Sequence, residues 1–76
     1  MNKVRRHEIS KAIEAIESIK EVIETLRDEE QDYYDNMPES FQDSERGEIA
    51  QEAVDNMEAA IDSLDEVIDN LNEAMQ

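Results

Sequence analysis

The chain has 76 residues, no cysteine, one glycine and one proline, and carries 22 Asp/Glu against 7 Lys/Arg for a net charge of −15. This length predicts one small domain with a marginal core, and the lack of cysteine rules out stabilisation by disulfides. No apolar run approaches the ~18 residues of a membrane span, and residues 1–10 lack the apolar stretch of a signal peptide. We therefore expect a cytoplasmic protein that does not bind membranes.

The charge is unevenly distributed along the chain. Residues 1–27 hold six Lys/Arg and five Asp/Glu, whereas residues 28–76 hold one Arg and seventeen Asp/Glu. Such a surface repels nucleic acid and attracts basic protein surfaces. Few aromatic residues and high charge are also compatible with disorder, but a disordered chain has no reason to keep the unbroken heptad pattern described next.

The first half of the chain predicts a long helix over about residues 3–34. Apolar residues recur there at alternating spacings of three and four, which is the pattern of a helix with one buried stripe. The expected buried positions are Ile9, Ala12, Ile16, Ile19, Ile23, Leu26, Glu30 and Tyr33. Ile13 and Val22 flank this stripe and widen it.

Residues 35–44 interrupt the pattern and predict a connecting loop with a short helical turn near Pro38 to Gln42. Pro38 disfavours helix at the preceding Met37, and Asn36 and Ser44 are potential caps. Met37 and Phe41, together with Tyr33 and Tyr34, are expected to cover the open end of the core.

The second half predicts a helix over about residues 45–75 with the clearest pattern in the chain. Eight apolar residues follow a strict alternation of four and three: Ala50, Val54, Met57, Ile61, Leu64, Ile68, Leu71 and Met75. A stripe of this period must be buried against another helix. The sequence therefore predicts an all-α fold, an antiparallel two-helix hairpin resembling a coiled coil.

Folding at about residue 40 places Ile19 opposite Ile61 and Leu26 opposite Val54. Tyr33 then meets Gly47, whose missing side chain either leaves room for the ring or only loosens the first turn. Lys20 and Arg27 approach Glu58 and Asp65 along one edge. The other edge consists of small apolar residues and predicts self-association of two hairpins into a homodimeric four-helix bundle; its residues are Ala15, Val22, Ala53, Ala60, Val67 and Ala74.

The outer side of the second helix is acidic and contains no basic residue between Glu48 and Glu73. It can be a solvated surface that keeps the protein soluble, or a surface that binds a basic partner and imitates nucleic-acid phosphates. We take the second as the leading hypothesis. The candidate partner-binding residues are Glu48, Glu52, Asp55, Glu58, Asp62, Asp65, Glu66, Asp69 and Glu73.

Catalytic and metal-binding motifs are weak. Residues 28–39 have the length of an EF-hand loop, with Asp28, Glu30, Asp32, Asn36 and Glu39 at ligand positions, but Tyr33 replaces the required glycine and Pro38 precedes the last ligand. His7 is the only histidine, so no serine has a predicted activating base. We expect no enzyme activity, no cofactor and no metal.

Residues 29–71, and specifically YYDNMPES followed by SERGE, resemble small acidic helical proteins of bacteriophages and mobile elements. Several phage anti-defence proteins, including some anti-CRISPRs, are similarly short and acidic and act by occupying nucleic-acid sites. The resemblance implies an inhibitor in the cytoplasm of a bacterial host, with a basic nucleic-acid-binding protein as partner. It carries over no individual site residue. The alternative that the residues leave open is a structural or assembly protein that works through its apolar edge.

Overall fold

The computed structural model describes all 76 residues, which form three helices and no strand. The helices are α1 (Lys3–Asp35), α2 (Glu39–Gln42) and α3 (Glu45–Ala74). The bounds of the two long helices lie within one residue of those expected from the heptad pattern. Neither of them contains an apolar stretch long enough to cross a lipid bilayer.

The ends of α1 follow from local hydrogen bonds. The Asn2 side chain accepts a hydrogen bond from the Arg5 amide at 2.8 Å and caps the first turn. At the other end the Asn36 side-chain amide donates to the Asp32 carbonyl at 2.8 Å, and Pro38 excludes further helix. Ser44 precedes α3, but its hydroxyl donates to the Phe41 carbonyl and leaves the first turn of α3 uncapped.

The two long helices pack antiparallel and give the molecule dimensions of 58 × 15 × 12 Å. Its radius of gyration is 17.3 Å, against about 11 Å for a globular chain of this length. Only five residues are buried, namely Ile13, Gly47, Ala50, Val54 and Ile61. The chain is thus a rod two helices wide, with a thin core along the line where α1 and α3 meet.

The predicted buried stripe of α3 is confirmed. Ala50, Val54 and Ile61 are buried, while Met57, Leu64, Ile68, Leu71 and Met75 are half-buried along the same line. The length and regularity of this pattern leave only one side of the helix able to form the core.

The predicted buried stripe of α1 is wrong at alternate positions. Ile19 and Leu26 are exposed, whereas Ile13, Lys20 and Arg27 turn toward α3. The pairings of Ile19 with Ile61 and of Leu26 with Val54 therefore do not occur. Lys20 and Arg27 can occupy these positions because their long aliphatic stems cover apolar surface while their charged ends reach water. The apolar row on α1 that contains Ile19 and Leu26, which the spacing pattern places in the core, faces solvent instead.

Gly47 allows α2 to pack against the start of α3. A Cβ at this position would lie 2.6 Å from the carbonyl carbon and 2.7 Å from the Cα of Gln42, distances that no side chain tolerates. The prediction that Gly47 makes room for Tyr33 is wrong, since the close neighbour is the backbone of α2. Gln42 also donates from Nε2 to the Tyr34 carbonyl at 3.0 Å and so ties α2 to α1.

Candidate protein-binding surfaces

The hairpin has two long, chemically different faces on opposite sides of its core. On α1, the exposed apolar residues lie on one side of the buried stripe and the outward glutamates lie on the other. On α3, the buried stripe likewise lies between Val67 and the carboxylates. Tyr33 of α1 and Ile49 of α3 line one concavity, so the apolar sides of both helices point in the same direction. The Lys20 and Asp65 ion pair lies on the other side.

We define the apolar face by the exposed or half-buried apolar residues on the first of these sides. From α1 they are Ala12, Ala15, Ile19, Val22, Leu26 and Tyr33, and from α3 they are Ile49, Ala53, Ala60, Val67 and Ala74. Ile19 is 54% exposed, Val22 59%, Leu26 49% and Ile49 59%. Large apolar side chains are normally buried, and a contiguous row of them in water is typical of an interaction surface.

The residues expected to mediate self-association all belong to this face, but they are only part of it. Val22, Val67, Ala15 and Ala74 are exposed, and Ala53 and Ala60 are half-buried. Sequence reasoning missed Ile19, Leu26 and Ile49, the largest aliphatic residues of the face. The sequence does contain a pattern that indicates this face. A second row of apolar residues at spacings of three and four runs along α1, formed by Ala12, Ala15, Ile19, Val22 and Leu26.

The acidic face lies on the other side of the core and is defined by nine carboxylates of α3, the same nine that the sequence singled out. All are exposed except Asp65, which is half-buried. They are Glu48, Glu52, Asp55, Glu58, Asp62, Asp65, Glu66, Asp69 and Glu73. They follow one another at intervals of one to four residues, so helix geometry spreads them along most of the length of α3.

One basic residue enters this face, and it comes from α1. The Lys20 ammonium lies 2.5 Å from Oδ1 of Asp65, which confirms that these two residues approach each other. The hydrogen bond to Asp65 raises the pKa of Lys20, and the charges of Asp65, Glu24 and Glu17 raise it further. Lys20 thus neutralises one carboxylate of the face and leaves the other eight without a basic partner.

Arg27 does not behave as the sequence predicted. Its guanidinium binds the neighbouring Asp28 of the same helix, with Nη2 3.0 Å from Oδ1, and makes no ion pair with Glu58 or Asp65. A contact between adjacent residues restricts few torsions of the chain, so it forms more readily than a bridge to α3. Glu17 and Glu24 act on Lys20 through space, so α1 adds negative charge to the acidic face.

The loop end carries a third feature, a shallow concavity of about 330 Å³ at the end of the apolar face. Glu30, Tyr33, Arg46 and Ile49 contribute to its lining. The Arg46 guanidinium stacks over the Phe41 ring, 5.8 Å from its centroid. Of the four residues that were expected to cover the open end of the core, two do so. Tyr34 and Met37 are half-buried, while Tyr33 and Phe41 are exposed.

The structure has no group of three or more His, Asp or Glu side chains able to hold a metal ion. Residues 28–35, which supply most of the EF-hand-like ligands, are helical as part of α1. An EF-hand loop needs a sharp turn at its sixth position, and Tyr33 is within the helix. This segment therefore does not form a calcium loop.

One of the two faces presents carboxylates to water and the other presents aliphatic side chains. Comparison with protein-family models, with curated proteins and with solved structures found no match for this chain.

Proposed function

We propose that this chain is a non-catalytic protein-binding module whose acidic face binds the basic surface of a nucleic-acid-binding protein, and that it acts as an inhibitor or regulator of that protein. The observation that carries the proposal is the row of eight unpaired carboxylates along α3. In an ordinary solvated helix, Lys and Arg alternate with Glu on the outer side. Here the outer side of α3 has a single sign of charge.

The spacing of these carboxylates suits a partner that binds nucleic acid. Residues three or four apart on a helix lie ~5–6 Å apart, which is comparable to the spacing of phosphates along one strand of nucleic acid. A groove built from Lys and Arg to hold a phosphate backbone would therefore also attract this face. The attraction is long-ranged and strengthens as salt is lowered.

A second function class is favoured by the apolar face. Residues such as Ile19 and Val22 are more than half exposed in the single chain, and covering them with a second copy gives a homodimeric four-helix bundle. Such a protein would act in assembly, through its apolar face. The two proposals are compatible, because the faces lie on opposite sides of the rod and a dimer keeps both acidic faces accessible.

The acidic face is tested by reversing Asp55, Asp62 and Asp69 to Lys in one variant. The immobilised wild-type protein is used to capture partners from a nuclease-treated bacterial lysate, and each captured protein is then tested for binding to a labelled DNA duplex. We expect the wild-type protein to displace the duplex and the triple variant to fail, while circular dichroism shows unchanged helicity. Displacement by the triple variant at wild-type concentrations would overturn the proposal.

A matched control carries the same change in charge elsewhere. Reversing Glu29, Asp32 and Glu39 to Lys alters the loop end and leaves the acidic face of α3 intact. If only net charge matters, both triple variants lose displacement equally. If the acidic face is the binding surface, the control variant still displaces most of the labelled duplex.

The assembly function is tested on the apolar face with Ala60→Glu and Val67→Glu. Light scattering should give the wild-type protein about twice the chain mass of 8.8 kDa, and each variant a lower average mass, because a buried unpaired carboxylate is strongly unfavourable. A wild-type mass of one chain at all concentrations would exclude this second function.

A further inference from the structure

We infer that two copies of the chain pack apolar face to apolar face with their loop ends at opposite ends of the dimer. This inference rests on the self-association proposed above and adds the relative orientation of the two chains and the residues that meet. It follows from the positions of the exposed residues on α1, from the same row on α3, and from the charge at each end of the rod.

The exposed row of α1 can pair with itself in an antiparallel arrangement. A twofold axis that passes between Ile19 and Val22 places Ile19 against the partner's Val22. One layer further out, Ala15 meets the partner's Leu26, so a small residue lies opposite a large one. Antiparallel helices with rows at spacings of three and four pack in such layers.

The exposed row of α3 shares the same axis. In the hairpin, Ser10 lies beside Met75 and Tyr33 lies beside Ile49, so Ala60 and Ser63 are at the level of Val22 and Ile19. The axis between Ile19 and Val22 therefore also passes between Ala60 and Ser63. At the ends of the row, Ile49 faces the partner's Ala74, which is again a large residue against a small one.

Side-chain size alone would also permit a parallel dimer, in which α1 lies on α3 of the partner. The charges at the ends of the rod favour the antiparallel dimer over the parallel one. Residues 28–48 at the loop end contain nine Asp/Glu and one Arg, whereas residues 1–11 and 72–76 at the other end contain four Lys/Arg and two Glu. A parallel dimer places both loop ends side by side, where like charges repel across less than a Debye length of ~10 Å at 0.1 M salt. The antiparallel dimer separates them.

The antiparallel arrangement also gives the loop end a favourable neighbour. With the axis between Ile19 and Val22, Lys11 reaches the partner's Glu30, which lines the concavity beside Tyr33. In the single chain Lys11 pairs only with Glu8, at 3.1 Å and on an exposed surface, so its ammonium is free to contact a second carboxylate.

The orientation is measured with spin labels, which the absence of native cysteine makes simple. Lys3→Cys marks the terminal end and Glu39→Cys marks the loop end, and both positions are exposed. For dimers labelled at only one of these positions, we expect label-to-label distances close to the 58 Å length of the rod. Mixing the two labelled proteins should give a short distance between unlike labels.

The opposite pattern, with short distances between like labels, would overturn the inference while leaving the dimer in place. A protein that shows no distance between labels and a mass of 8.8 kDa would overturn the inference together with the self-association on which it rests. The two failures are therefore distinguishable by the mass.

A charge exchange gives an independent measurement on the unlabelled protein. The twofold axis makes two Lys11–Glu30 contacts in each dimer, so we expect Lys11→Glu to raise the dissociation constant of the dimer by about 2- to 30-fold, a typical effect for two exposed ion pairs, and Glu30→Lys in the same chain to restore it. The single variant Glu30→Lys is the control for net charge: it makes the chain less negative, so it should weaken the dimer if the contact exists and strengthen it if only net charge matters. If Glu30→Lys does not reverse the effect of Lys11→Glu, these two residues do not meet and the axis is misplaced.

Discussion

Lys20 of α1 and Asp65 of α3 form the only ion pair between the two long helices, with 2.5 Å between Nζ and Oδ1. Both side chains are partly exposed, and both lie at the edge of the core where apolar residues would be expected. The pair therefore aligns α1 with α3 and at the same time leaves the neighbouring Ile19 on the outside.

We predict that Lys20→Ala lowers the melting temperature by a few degrees at neutral pH, because Asp65 then loses its partner beside Glu17 and Glu24. The hydrogen bond to Asp65 raises the pKa of Lys20 above 10.5 in the folded state. Its stabilisation is therefore fully present below pH 10.5 and is lost as the pH rises through the folded-state value. The difference between wild type and variant, measured by circular dichroism, should shrink above that pH.

The control for this prediction is Lys11→Ala, measured at a protein concentration where the dimer is not populated: it removes the same charge and, within the single chain, breaks only the pair with Glu8. An equal fall in melting temperature for both variants would show that net charge, and not the contact between the helices, accounts for the effect.

Gly47→Ala is predicted to destabilise the protein by about 1–3 kcal/mol, the usual range for overpacking. In an open helical position the same substitution stabilises by about 1 kcal/mol. The difference in sign arises because a Cβ at residue 47 meets the backbone of Gln42, which cannot move without displacing α2. Urea denaturation gives the measurement.

Ala59 provides the scale for this experiment, since it is exposed on α3 and Ala59→Gly therefore reports mainly helix propensity. If Gly47→Ala proved stabilising by the amount that Ala59→Gly destabilises, α2 would not be held against α3.

Ile61→Ala and Ile19→Ala are predicted to differ in their dependence on protein concentration. Ile61 is buried in the core of the single chain, so its truncation should cost about 2–4 kcal/mol at any concentration. Ile19 is exposed in the single chain, so its truncation should matter only where the dimer is populated. Urea denaturation at micromolar and millimolar protein separates the two. A large loss for Ile19→Ala that is independent of concentration would place Ile19 in the core of the single chain.

Added salt is predicted to raise the melting temperature. The net charge of −15 is concentrated on a rod only 15 × 12 Å in cross-section, and salt screens its self-repulsion. The same salt weakens the Lys20 to Asp65 pair, but that is a single contact. A melting temperature that falls with sodium chloride would mean that the few ion pairs outweigh the repulsion.

The sequence was sufficient to predict the helices and the core side of α3, because the second half of the chain has only one stripe of large apolar residues. It was not sufficient for α1. That helix carries two apolar rows, one with Ile13 and Ile16 and one with Ile19 and Leu26. Hydrophobicity alone favours burial of the row with Ile19 and Leu26, which lacks the charge of Lys20. The structure selects the row that contains Lys20, whose aliphatic stem packs while its ammonium reaches Asp65.

The candidate surfaces were predictable to different extents for the same reason. The acidic face of α3 could be read from the periodicity, since its carboxylates all lie to one side of an unambiguous stripe. The apolar face is only partly predicted, because Ile19 and Leu26 fit the buried stripe of α1 as well as the second, exposed row. The role of Gly47 was also beyond the sequence, since it depends on the approach of Gln42 from a different helix.

The thin core has a consequence for the exchange of backbone amides with solvent. In a rod two helices wide, every amide lies within about one helix diameter of water. The protection of an amide from hydrogen exchange therefore depends on how often its own helical turn opens, and very little on its distance from the surface. Protection should be highest around Val54 and Ile61, where the side chains are buried, and should fall gradually toward both ends. A map of hydrogen–deuterium exchange would thus show a gradient along the rod, and binding of a partner to either face would be seen as added protection in the turns that it covers.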